Sequence, residues 1–109
     1  MNPYLFRSIF LLAILSFAAA PSRADPAVKV LVVIEAVKFS PEITTVKRDE
    51  WVQWINKDPF PHTVTSPGAF DSHSIPAGGK WRHRANKVGE FHYFCTLHPN
   101  MTAVLRVEK

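Results

Sequence analysis

The chain has 109 residues, 47% of them hydrophobic and 20% charged, a composition that feeds a packed core and excludes intrinsic disorder. Its formal charge of +4 is too mild for a protein that binds nucleic acid electrostatically. The length allows one domain and excludes a multi-domain enzyme.

From Met1 to Ser8 there is one cation, Arg7, and Ile9 to Ala20 is twelve residues without a charge. A membrane helix needs roughly 20 apolar residues, so this stretch reads instead as the core of an export signal. Ser22-Arg23-Ala24 offers small residues at the positions a signal peptidase reads. Residues 1–24 are therefore expected to be a signal peptide and residues 25–109 a single domain. Removing that leader, with Arg7 and Arg23, leaves 85 residues and a net charge of +2. So small a domain gains from a metal or from very good packing. Export also bears on Cys95, which has no second cysteine to pair with. A lone thiol in an oxidising compartment is a liability unless something such as a metal occupies it.

Val28–Glu35 is rich in β-branched residues and reads as the first strand. After Pro41, Ile43 and Val46 are expected to touch the core. Trp51–Asn56 alternates, with Val52 and Trp54 on one face and Gln53 on the other. His62–Ser66 reads as a short strand, and Pro67–Gly79, rich in Pro and Gly, as a loop. Trp81, His83 and Ala85 share a face of a half-buried strand. Beyond Gly89, the segment Glu90–Thr96 points Phe91, Tyr93 and Cys95 one way and His92 and Phe94 the other. Met101–Glu108 closes the chain, with Ala103, Leu105 and Val107 apolar against Arg106 and Glu108. Several short strands at roughly 8–12-residue spacing, with no helical periodicity, predict an all-β antiparallel sandwich or barrel.

Cys95, His98 and Met101 are spaced Cys-x-x-His-x-x-Met between two expected strands, and His62 opens another strand some thirty residues earlier. Two imidazoles, a thiolate and a thioether are the donor set of a type 1 copper site. The soft sulfurs suit Cu(I), the imidazoles suit both oxidation states, and a weak axial sulfur favours neither state's relaxed geometry. Zinc competes for such ligands, although structural zinc sites usually carry two or more Cys. A Cys–His nucleophile pair is a third possibility, with no visible oxyanion hole to support it. His73, His83 and His92 are not expected ligands.

The segments Trp54-Ile55-Asn56, Pro61-His62 and Gly89–Met101 resemble those of the cupredoxins, and the short ligand loop resembles the amicyanin branch of that family. The resemblance spans the expected mature chain. It implies an eight-stranded Greek-key β-sandwich with one copper near one end, held by His62, Cys95, His98 and Met101. It also implies that the apolar Phe60, Pro61, Leu97 and Pro99 surround an electron port at His98. Amicyanins carry Asn after the first histidine; Thr63 stands here, which leaves open whether its hydroxyl braces the Cys95 loop.

The resulting expectation is a monomeric periplasmic blue-copper protein, not an enzyme, that carries single electrons. Its donor and acceptor would be redox proteins such as a dehydrogenase or a c-type cytochrome, docking weakly near His98. Neither nucleic acid nor membrane is an expected partner. The alternative is a periplasmic copper-delivery protein without an electron-shuttle role.

Overall fold

The computed structural model describes residues 12–16 and 27–109, so most of the expected signal peptide, 1–24, lies outside the described residues. No helix among the described residues is long and apolar enough to cross a membrane.

Among the described residues, nine strands form two facing sheets. Strands β1 (Val28–Glu35), β2 (Lys38–Ser40), β4 (Trp51–Asn56) and β7 (Lys80–Arg84) make the first, in the order β2-β1-β4-β7. Strands β3 (Ile43–Lys47), β5 (Thr65–Ser66), β6 (Phe70–Asp71), β8 (Gly89–Cys95) and β9 (His98–Glu108) make the second, in the order β3-β9-β8-β5-β6. The all-β sandwich is as expected, with two differences. Both sheets are mixed, because β1 pairs β4 and β3 pairs β9 in parallel. A ninth strand arises because Phe70–Asp71, inside the stretch expected to be a loop, folds back on Thr65–Ser66 as a short hairpin.

The alternation read in β4 is the alternation observed: Val52 and Trp54 are buried and face the other sheet. Tyr93, Cys95, Ala103, Leu105 and Val107 answer them from β8 and β9. Across the gap, the Trp54 indole Nε1–H donates to Tyr93 Oη at 3.3 Å, and the two rings meet edge to face at 5.7 Å. This contact joins the sheets with apolar area and a satisfied polar pair together.

One expectation in β3 is corrected. Val46 is buried, but Ile43 is 53% exposed, and Thr44 takes the inner position. Residues three apart on a strand point to opposite faces, so Ile43 and Val46 could not both reach the core. The cost is visible at Thr44, whose Oγ1 is buried without a hydrogen-bond partner.

The expected strand His62–Ser66 is also shorter than read. Only Thr65–Ser66 pairs as a strand, while His62 makes an isolated two-way bridge with Ile75. His62 N–H donates to Ile75 O at 3.1 Å and Ile75 N–H donates to His62 O at 2.7 Å. That bridge fixes the backbone of His62 at one end of the sandwich.

The β8–β9 hairpin builds the other half of the same end. Its register is regular from Gly89↔Val107 to Phe94↔Thr102, then jumps to Cys95↔His98. Pro99, Asn100 and Met101 are thus extra residues on one strand. Such a bulge bends the strand and re-aims its side chains at the hairpin end.

Candidate metal centre

Three of the four expected ligands converge at this end of the sandwich. The ligand atoms of His62, Cys95 and His98 all lie within 4.8 Å of one another. Cys95 Sγ is 3.6 Å from His62 Nδ1 and 3.8 Å from His98 Nδ1. His62 and Cys95 are fully buried and His98 is half-buried. Met101, three residues beyond His98 on β9, is buried and lines the same cleft as His98.

These separations can be set against those of ligands around one metal ion. A nitrogen about 2.0 Å and a sulfur about 2.3 Å from one ion, opened to about 120°, stand about 3.7 Å apart. The two sulfur–nitrogen distances straddle that value. The donor set of thiolate and imidazoles, with a thioether nearby, therefore fits a single copper ion in chemistry and in spacing.

The protein holds these groups from several directions. Thr63 N–H donates to Cys95 Sγ at 3.3 Å, so the residue after the first histidine touches the thiol directly. Thr63 Oγ1 accepts from Thr96 N–H at 2.9 Å and lies 3.2 Å from Thr96 Oγ1 and 3.0 Å from Thr65 Oγ1. The question left open by the sequence is answered: Thr63 does brace the loop that carries Cys95. Phe60 packs over both imidazoles, with ring centroids 5.2 Å from His62 and 5.7 Å from His98, and the two imidazoles are 5.0 Å apart.

Asp58 is the residue that sequence reasoning missed. Its carboxylate is 6% exposed, and Oδ2 lies 2.7 Å from His62 Nε2, on the side of the ring opposite Cys95. It also accepts Ala36 N–H on Oδ1 at 2.7 Å and Val37 N–H on Oδ2 at 2.9 Å. Burial pushes the carboxyl pKa up, but the Val37 N–H, the His62 ring and the Ala36 N–H together outweigh it and hold it below the usual value. Asn56, fully buried at the end of β4, shapes the loop: its Oδ1 accepts Asp58 N–H at 3.0 Å and its Nδ2 donates to Phe60 O at 2.9 Å. The signal in the sequence was an acid four residues before the first ligand, in a loop that Pro59 and Pro61 stiffen.

The remaining histidines stay apart from this centre. His73 is exposed beside Asp71 at 3.7 Å, and His92 is exposed beside Glu90 at 3.3 Å. His83 stacks on Trp81 with ring centroids 5.5 Å apart, and desolvation of the half-buried ring lowers its pKa.

A family model described as a cupredoxin-like domain matches residues 7–107. The chain belongs to the cupredoxin-like family. Among characterised relatives of this cupredoxin, amicyanin from Paracoccus versutus is 33% identical over 89 residues, covering 76% of this chain and 67% of the relative. Chloroplastic plastocyanin from Tetradesmus obliquus is 27% identical over 111 residues, covering 87% of this chain and 74% of the relative. Among solved structures, a variant of amicyanin in its Cu(I) form superposes with a TM-score of 0.70 at 25% identity, covering 78% of this chain and 85% of that one.

Proposed function

We propose that this cupredoxin is a type 1 copper protein that carries single electrons between redox partners in the periplasm. The observation that carries the reading is the buried His62–Cys95–His98 cluster, whose sulfur–nitrogen distances of 3.6 and 3.8 Å suit one ion. Similarity to amicyanin and plastocyanin, both electron carriers, supports it. His62, Cys95, His98 and Met101 would hold the ion, with the Met101 thioether as the weakest donor. Residues 1–24 are proposed to be the leader and 25–109 the exported domain.

Copper would supply a one-electron couple; the chain supplies rigidity, access and the exclusion of water. Rigidity comes from the His62–Ile75 bridge, the Thr63 N–H on Cys95 Sγ and the Thr63–Thr96 hydroxyl contact, which pin two ligand segments to each other. Ligands that cannot shift between oxidation states keep the reorganisation energy small. Phe60 and the burial of His62 and Cys95 keep solvent from the sulfur. Access is through His98, whose half-buried ring shares a cleft with Val37, Leu97 and Pro99. Leu97 is 54% exposed, so the mouth is apolar and open, suited to weak, short-lived docking of a dehydrogenase or a c-type cytochrome.

Adding Cu(II) to the purified protein and recording its visible spectrum tests the reading. The expected result is an intense blue thiolate-to-copper band that ascorbate bleaches reversibly, and Cys95→Ser is expected to abolish it. Colourless Cu(I) binding that is readily surrendered to a chelator would point to copper delivery instead.

A further inference from the structure

The β1–β2 connection is a two-residue turn between Glu35 and Lys38, and both of its residues lie in the left-handed region, Ala36 at φ 52° and Val37 at φ 57°. Turns of this kind favour Asn-Gly, because other side chains crowd the backbone there. A β-branched Val at such a position is strained and needs outside support. The support is Asp58, which takes both turn N–H groups on its carboxylate and His62 Nε2 as well.

We propose that Asp58 is a positioning residue that locks His62 in one tautomer and anchors that lock to the Ala36–Val37 turn. The inference rests on the copper-site reading only for what the locked ring then does. A carboxylate that already accepts two backbone N–H groups has no proton to give, so His62 Nε2 must be the donor. In the neutral ring the lone pair is then on Nδ1, the nitrogen 3.6 Å from Cys95 Sγ. A carboxylate behind a ligating imidazole fixes its orientation and raises its donor strength. The turn is part of this device because it fixes the carboxylate in its place. It also reaches the surface, where Val37 lines the cleft shared by His98 and Leu97. One side of the docking mouth and the orientation of a buried ligand are therefore set by the same carboxylate.

Asn is the informative replacement, since it keeps the shape but has only one acceptor oxygen. With that oxygen facing Val37 and His62, its amide NH2 confronts the Ala36 N–H. With the amide reversed, NH2 faces His62, which can then accept at Nε2 only by moving its proton to Nδ1. The test is nitrogen-15 NMR of the copper-free protein, followed by Cu(II) and Cu(I) competition titrations on the same samples. In the unmutated protein His62 is expected as the Nε2–H tautomer with a slowly exchanging ring proton; a proton on Nδ1 instead overturns the proposal without any variant. In Asp58→Asn the expected results are a mixed or reversed tautomer and a 10–100-fold loss of Cu(II) affinity, on the order of other losses of such supporting groups. Cu(I), which relies more on the sulfurs, is expected to lose about tenfold less, a ratio equivalent to a rise in potential of about 59 mV. An unchanged tautomer together with an unchanged Cu(II)-to-Cu(I) ratio in folded Asp58→Asn refutes the positioning role. The NMR arm needs no copper, so a failure of the copper reading and a failure of this one are told apart.

Discussion

Tyr93 offers a pH test of the sandwich core that does not depend on copper. Its ring is buried between the sheets, and desolvation, partly offset by the hydrogen bond from Trp54 Nε1, pushes its pKa from 10.0 up to about 12. A raised pKa means that the unfolded chain gives up this proton before the folded one does. The contribution to stability is therefore complete below pH 10 and is lost as the pH rises through 10 toward 12. At pH 11 the unfolded phenol is about ten-elevenths ionised and the folded one about one-eleventh, a difference of about 1.4 kcal/mol. For a domain of this size that lowers Tm by about 6–11 °C beyond the loss from other groups.

Tyr93→Phe isolates the effect. At pH 8 the variant leaves the Trp54 N–H without its acceptor and is expected to be less stable by about 1 kcal/mol. At pH 11 that deficit should vanish or reverse, because Phe has no proton to lose. The assay is chemical denaturation of both copper-free proteins at pH 8, 10 and 11, with tyrosinate absorbance followed alongside. If parent and variant lose stability in parallel across that range, Tyr93 ionises as freely folded as unfolded, and the reasoning from burial is wrong.

Two further substitutions probe single side chains. Met101→Gln is expected to keep a coloured copper site but lower its potential, because a harder axial donor favours Cu(II); spectrum and potential both unchanged would remove Met101 from the ligand set. Thr44→Val replaces a buried hydroxyl that has no partner with a methyl of similar size, and is expected to gain about 1 kcal/mol, or about 4–8 °C in Tm. A fall in Tm there would mean that the hydroxyl is satisfied.

Much of this molecule was legible before folding because its information is local. Cys95, His98 and Met101 lie within seven residues, and strand alternation alone grouped Val52 with Trp54 and Tyr93 with Cys95 on faces that prove buried. Ile43 was misread because two apolar residues at a spacing of three cannot both face inward on a strand, and burial went to the parity that Val46 shares with Thr44. The mixed sheets were missed because parallel partners such as β3 and β9 are far apart in sequence, with no turn between them to announce the pairing. Asp58 was missed for a related reason. In a Lys-Asp-Pro loop an acid reads as a solvated turn residue, and its partners at Ala36 and Val37 lie 22 and 21 residues away.

The same separation explains how the ligands can be held more firmly than any one loop allows. His62 and Cys95 are 33 residues apart, yet Thr63 bonds to Cys95 Sγ through its backbone and to Thr96 through its hydroxyl. Neither segment can open without breaking the other's contacts, so local fluctuation of the site becomes a larger, cooperative event. A ligand that binds only the folded arrangement adds RT ln(1 + [L]/Kd) to stability. At a thousandfold excess over Kd that is about 4 kcal/mol, comparable with much of a small domain's own stability. Copper loading should therefore raise Tm in the parent and only weakly in Cys95→Ser. If the two proteins show equal increments, the metal is held somewhere other than at this buried sulfur.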